Sequence, residues 1–248
     1  MSVLLIRLAG PMQAWGTQSR FSVRDTGLEP SKSGVLGLLC AAMGKPRQET
    51  PGDGFPALTE LAELKMAVRV DRPGTLLRDY HTAMDVLIAS SEPGKKPRLK
   101  GCEPSTRYYL ADADFLVALE GDGRLLARLH AALAEPVWPL CLGRKGFPLS
   151  LPAHVPDGLL DGPARIEALK AQPWWQRRWD DRPDGPLRIV AESPDPREGE
   201  VRNDVPLNFL SPRRRFTVRR VRDAEFWNIL SEAPDLIRRC PCSCPDSN

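Results

Sequence analysis

Short apolar runs alternate with polar, Gly- and Pro-containing connections through the first 150 residues, and the period of the apolar positions changes from two to about four and back. Residues 3–9 (VLLIRLA) have the Val, Ile and Leu content of a buried strand, interrupted by one charge, Arg7. A polar loop rich in Gly, Gln, Ser and Arg fills 10–30. Residues 31–43 read as a helix, with Ser31 or Ser33 as N-cap, an apolar stripe of Val35, Leu36, Leu38, Leu39, Ala42 and Met43, and Gly44 at the C′ position. A short helical turn is predicted at 56–64. A strand follows at 65–71, with Met66, Val68 and Val70 facing a core and Ala67 and Arg69 on a wet face. The chain is extended again at 75–84. Periodicity stops over 85–105, which predicts a long protruding loop, and loops of that length are usually functional or disordered. Strands at 106–110 and 114–119, an amphipathic helix at 125–133 and a strand at 136–142 complete the series.

Without the inserted loop the order is βαββαβ. That is the α+β, ferredoxin-like arrangement of RNA-recognition domains, in which one sheet face is left to meet a ligand. After residue 150 the pattern weakens. A short helix containing Trp174 and Trp175 is expected within 164–179. Strands are expected at 187–192 and 215–221, separated by a loop rich in Pro, Asp and Glu. The organisation predicted is a domain over 1–150 with its insertion at about 85–105, a smaller β-rich part over 151–239, and a disordered tail at 240–248.

A chain of 248 residues allows one large domain or two small ones. No apolar run approaches the roughly 20 residues that span a bilayer. Met1 and Ser2 lead straight into a strand with no leader pattern, so a cytoplasmic location is expected. The tail cysteines Cys240, Cys242 and Cys244 are spaced C-P-C-S-C, a poor match to zinc ligand spacing, and no metal or cofactor is predicted. Net charge is only +3. The bases are clustered, though: Lys95, Lys96, Arg98, Lys100 and Arg107 in one stretch, and Arg213, Arg214, Arg215, Arg219, Arg220 and Arg222 in another. Clustered bases on a nearly neutral chain suggest a local polyanion groove, against the plainer alternative of solvated loops.

Strand, polar loop and helix in succession can form a phosphate site. The helix N-terminus offers free N–H groups and a partial positive charge, and Lys32 and Ser33 add an ammonium and a hydroxyl; simple capping is the alternative. The run Gly143-Arg144-Lys145-Gly146 can bring backbone donors close to a phosphate, since Gly lacks a Cβ. Bases beside Tyr80, Tyr108 and Tyr109 fit single-stranded RNA, whose phosphates follow charge and whose bases stack on aromatic faces. Tyr108 and Tyr109 are adjacent on a strand, so at most one can do this. A metal-independent ribonuclease would need a general base, and His81, His130 and His154 are the histidines available. Of these, His81 beside Tyr80 is the plausible catalytic candidate.

Five stretches carry a resemblance: RLAGPMQAWG (7–16), SKSGVLGLL (31–39), RDYHTAM (78–84), RYYLADADFLVALEG (107–121) and PVWPLCLGRKGFP (136–148). Together they resemble the subtype I-E branch of the Cas-five family of CRISPR-associated RAMP proteins. Beyond residue 150 only RRRFTVRRV (213–221) adds to the likeness. The resemblance implies a ferredoxin-like fold with a thumb-like β-hairpin insertion and a smaller C-terminal β portion. It implies a non-catalytic subunit of the Cascade surveillance complex that caps the 5′ handle of the CRISPR RNA. Its partners would be the backbone and large subunits and, indirectly, target DNA. The runner-up is a metal-independent endoribonuclease that processes repeat RNA. The RNA-binding positions so implied are Gln13, Trp15, Gly16 and Arg24 in the first loop and Lys32 and Ser33 at the helix start. Further positions are Arg78, Tyr80, His81 and Thr82 at the insertion's base, Lys95, Lys96, Arg98 and Lys100 within it, and Arg107 and Tyr108 after it. Gly143, Arg144, Lys145 and Gly146 form the glycine-rich loop, and Arg214 lies in the C-terminal part. Where the family pattern continues Ser-Cys-Pro after that loop's basic residue, this chain has Gly146-Phe147-Pro148.

Overall fold

Along the first strand every residue but Arg7 is buried, which places that strand at the middle of the molecule with both faces covered. The computed structural model describes residues 1–19, 22–50, 52–88, 98–178, 180–210 and 214–239, with the side chains of Ile88 and Arg98 excepted. In chain order the elements are β1 (Ser2–Ala9), β2 (Met12–Gln13), β3 (Val23–Arg24), α1 (Lys32–Met43), α2 (Leu58–Glu63), β4 (Lys65–Arg72), β5 (Thr75–Ile88), β6 (Arg98–Ala111), β7 (Asp114–Gly121) and α3 (Gly123–Ala134). There follow β8 (His154–Asp161), α4 (Arg165–Lys170), β9 (Trp174–Gln176), β10 (Leu187–Glu192), β11 (Glu200–Asn208), β12 (Arg215–Trp227), α5 (Ile229–Glu232) and β13 (Ile237–Arg239).

One antiparallel sheet carries the fold, in the order β11-β12-β10-β4-β7-β1-β8. Strand alternation divides β1 between two cores. Leu4, Ile6 and Leu8 enter a cluster with Val35, Leu36 and Leu39 of α1 and Leu126, Leu129 and Leu133 of α3. Val3 and Leu5 enter a second cluster, on the other face, with Ala168 and Leu169 of α4, Trp174 and Trp227. Arg7 faces this second side, where its guanidinium meets the buried Asp114 carboxylate at 2.7 Å. α1 begins as the sequence indicates: the Ser31 hydroxyl accepts from the Gly34 N–H at 3.3 Å, and Gly44 ends the helix at φ 71°.

Four sequence expectations are corrected. First, residues 136–142 are not a strand. The N–H groups of Val137 and Trp138 instead satisfy the carbonyls of Ala42 and Ala41 at the end of α1, so the segment caps a helix. The strand beside β1 is β8, in the part of the chain where the sequence pattern weakens. Because β8 pairs with β1 and β10 with β4, the sheet continues past residue 150.

Second, most of 85–105 is not loop. β5 and β6 pair without a register break from Thr75↔Ala111 to Ile88↔Arg98. Both faces of the outer part meet solvent, so no apolar alternation was needed to specify it. Third, β4 has no wet face. Arg69 is fully buried, paired with Asp71 and donating to the carbonyls of Leu169, Gln172 and Pro173, which ties the segment after α4 onto the sheet. Fourth, the Pro- and acid-containing connection before residue 215 holds the strand β11. The tail at 240–248 lies outside the described residues.

Candidate nucleic-acid interface

The hairpin β5–β6 fixes which side chains share a face. Arg78 lies opposite Tyr108, Tyr80 opposite Thr106, and Thr82 opposite Pro104, so Arg78, Tyr80, Thr82 and Tyr108 line one side. Tyr80 is 71% exposed. Asp79, His81, Arg107 and Tyr109 line the other side. Tyr109 turns to the core and meets the Phe147 ring at 5.9 Å, which leaves Tyr108 as the tyrosine of this pair that can reach a ligand. His81 Nδ1 lies 3.7 Å from Asp79 Oδ2.

The first loop is joined to the base of this hairpin. β3 runs parallel to β6, with Val23 opposite Thr106 and Arg24 opposite Arg107. The bend between β2 and β3 is organised on Asp25, whose carboxylate accepts from the backbone of Thr17 and Gln18 and from the Ser19 hydroxyl. A Cβ on Gly16 would lie 2.5 Å from Asp25 O, so the close crossing of the loop requires glycine there.

Arg144 holds the third segment in place. Its Nη2 donates to Tyr108 O at 2.9 Å and to Arg24 O at 3.3 Å, and its guanidinium sits 5.3 Å from the Phe147 ring. Burial, then the nearby Arg107, push the Arg144 guanidinium below its ordinary value. Gly143 has φ 88°, and a Cβ there would lie 1.8 Å from Ala14 O. Gly146 has open space around its Cα. Lys145 is exposed. Among the described residues, no partner takes the backbone N–H of Arg144, Lys145 or Gly146, which leaves three donors after a left-handed glycine.

Several predicted positions are elsewhere or otherwise engaged. Gln13 is fully buried; it donates to Leu8 O and Ala113 O, and its Oε1 accepts from Trp15 Nε1 at 3.1 Å. Trp15 is a core plug against α1. Both are therefore structural and cannot touch a ligand. The helix N-terminus is likewise filled from within the chain. The Lys32 N–H donates to Asp204 Oδ2 at 2.8 Å, and the buried Lys32 ammonium lies 2.9 Å from Glu192 Oε1. Burial lowers the Lys32 pKa, opposed by the Glu192 charge. Ser33 stands beside this network, within 3.5 Å of the Ser31 hydroxyl. Thus the phosphate site expected at Lys32 and Ser33 is occupied by the protein's own carboxylates.

Lys100 pairs with Glu103 on the hairpin. Lys95 and Lys96 lie outside the described residues, as does the Arg98 side chain. Arg214 precedes β12 of the seven-stranded sheet, whereas the hairpin belongs with β2 and β3 to a separate sheet. Sequence reasoning missed Asp25 and Phe147, which order the first loop and back Arg144; both act locally, but a lone Asp or Phe in a loop carries no spacing signal for these contacts. His130 Nε2 lies 2.9 Å from Val155 O and its ring 4.4 Å from that of His154, so both histidines pack at the α3–β8 contact. Among the described residues no group of three potential metal ligands is present, and no helix is long and apolar enough to cross a membrane.

The family model described as CRISPR-associated protein (Cas_Cas5) matches residues 3–222. The chain is 36% identical over 162 residues to the CRISPR system Cascade subunit CasD of Escherichia coli (strain K12), covering 61% of this chain and 69% of that protein. A solved structure described as a crystal structure of Cas protein is 38% identical, with a TM-score of 0.69 over 96% of this chain and 99% of that chain. A chain of a CRISPR RNA-guided surveillance complex is 35% identical, with a TM-score of 0.65 over 89% of this chain and 88% of that chain.

Proposed function

The chain belongs to the Cas5 family of CRISPR-associated proteins, and from that membership we propose that it is a non-catalytic CRISPR RNA-binding subunit of a type I-E Cascade complex. In this reading it caps the 5′ handle of the CRISPR RNA in cytoplasmic antiviral defence. The four strands β8-β1-β7-β4 are its ferredoxin-like unit, since their order is fourth, first, third, second. The hairpin β5–β6 is the thumb that leaves it. Its protein neighbours are the backbone and large subunits, and target DNA is met through the complex.

The observation that carries the reading is the Arg144 guanidinium bridging the carbonyls of Arg24 and Tyr108. It fastens three segments far apart in sequence into one basic surface. Arg24, Arg107 and Lys145 supply charge there and residues 144–146 supply backbone donors, while Arg78, Tyr80 and Tyr108 supply a mixed basic and aromatic face on the other side of the hairpin. Arg144 is spent on backbone carbonyls and is a positioning residue. Gly16 shapes the loop through its contact with Asp25.

The reading is binding rather than cleavage, and it rests on the likeness to a Cascade subunit; His81, opposite Ser105 and 3.7 Å from the Asp79 carboxylate, is the residue on which the cleavage alternative would turn. The test is affinity for a fluorescently labelled CRISPR repeat RNA bearing the 5′ handle, for the wild type and for Arg78→Glu with Lys145→Glu. The expected result is a loss of affinity and a shallower salt dependence in the variant. Equal affinity at matched salt would remove the interface.

A further inference from the structure

One aromatic side chain stands outside every contact described so far. Trp138 is 46% exposed, and among the described residues its ring meets no other ring and no cation, and its indole N–H has no acceptor. The other described tryptophans are used inside the fold. Trp15, Trp174 and Trp227 are buried, and the first two donate their indole N–H to Gln13 and to Asp71 O. Trp175 is half-buried in β9.

The backbone beneath the exposed ring is fixed. The carbonyls of Ala42 and Ala41 near the end of α1 accept from the N–H groups of Val137 at 2.9 Å and Trp138 at 3.2 Å. Val137 sits against the glycine that ends the helix: a Cβ on Gly44 would lie 2.8 Å from Val137 Cγ1. Trp138 precedes Pro139, which confines its backbone to the extended region, and Pro136 has its own φ locked by its ring. A ring on so rigid a mount loses little conformational entropy when a ligand covers it.

The same segment leads into the glycine-rich loop. The Leu142 N–H donates to Phe147 O at 2.8 Å and Cys141 pairs with Pro148, so residues 143–146 are the tip of a short hairpin with Trp138 before its first arm. Trp138 and Gly143 are five positions apart, at most roughly 18 Å of chain. The tip carries the backbone donors of residues 144–146, which suit a phosphate. The end of α1 carries partial negative charge and repels one. The uncharged face of a base is what fits beside Trp138.

We propose that Trp138 stacks on an unpaired base of the single-stranded RNA whose phosphates meet residues 144–146, an extension of the interface that rests on the RNA-binding reading above. A strand crossing the loop and then the end of α1 gives phosphate to the first and a base to the second. A protein neighbour is the competing occupant. The exposed apolar surface here is one indole and Val137 between two prolines, small against the roughly 800 Å² per partner of a stable protein interface.

The test compares the full chain with Trp138→Leu, which keeps apolar bulk, and with Trp138→Phe, which keeps a stacking ring. Anisotropy with the labelled handle RNA is read across a salt series, and urea unfolding checks that each variant is folded. Trp138→Leu should weaken binding roughly five- to 150-fold, the range of one lost stack, with the salt slope unchanged because no phosphate contact is removed. Trp138→Phe should recover most of the affinity. A fluorescent adenine analogue placed at each handle position in turn should be quenched on binding at one position in the wild type and in Trp138→Phe, and not in Trp138→Leu. Equal affinity of wild type and Trp138→Leu, or a loss that comes with a shallower salt slope, overturns the proposal. If Arg78→Glu with Lys145→Glu abolishes binding while Trp138→Leu leaves it intact, the interface stands and this extension of it falls. If the wild type does not bind handle RNA, both fall together.

Discussion

The backbone N–H of Lys32, at the first turn of α1, donates to the carboxylate of Asp204 in β11, 172 positions along the chain, at 2.8 Å. A helix N-terminus attracts an anion, and here the anion is an internal side chain held by Arg219. The C-terminal strands thereby complete the first helix.

Asp204 should accordingly set stability. Burial raises its pKa, but the Arg219 hydrogen bonds and charge and the Lys32 N–H outweigh that and hold the carboxyl below its ordinary value. A carboxyl depressed in the folded state adds stability above its unfolded pKa of about 3.9, and that stability is lost as pH falls through the lower folded value. Asp204→Ala should cost about 3–5 kcal/mol by leaving Arg219 buried with its charge imperfectly met. Urea unfolding at neutral pH and near pH 3 measures both effects. The gap between wild type and variant should narrow in acid, and an unchanged gap would contradict the account.

The phosphate site expected at Lys32 could be read correctly as a helix start and still be assigned the wrong ligand. Ser31 and Gly44 carry local signals, so both helix ends were legible. Asp204 and Glu192 carry none toward Lys32, because the pairing is made by sheet order. β8 was hidden for a related reason: His154 and residues 159–161 pair with β1 on either side of an irregularity between Leu4 and Ile6 that takes up Pro156, Asp157 and Gly158. The hairpin's outer half was hidden because neither face is buried. Arg78, Tyr80, Tyr108 and residues 143–146 lie at exposed or accessible positions whose placement needs only strand alternation or a turn.

Gln13→Ala should lower stability and leave RNA affinity unchanged below the melting temperature. It removes the partners of Leu8 O, Ala113 O and Trp15 Nε1 in the core, at about 1–3 kcal/mol for each group left unsatisfied. Calorimetry beside anisotropy separates the two readouts. An affinity loss in a fully folded variant would return Gln13 to the interface.

The two glycines of the 143–146 loop should behave differently. Gly143→Ala brings a Cβ against Ala14 O at a positive φ, so the loop must move, and both stability and RNA affinity should fall. Gly146→Ala meets nothing and should change stability by no more than about 0.5 kcal/mol. Equal effects at the two positions would show that the loop is not held as described.

Incubation with repeat RNA in the presence of a chelator should leave the RNA intact. A discrete product that disappears in His81→Ala would make the protein a nuclease.

The central claim is tested most directly by mapping which nucleotides of a bound CRISPR RNA the protein protects, for wild type and for Arg78→Glu with Lys145→Glu. The account predicts protection confined to the 5′ handle in the wild type and lost in the variant. Protection elsewhere on the RNA, or a handle footprint that survives both charge reversals, would contradict it.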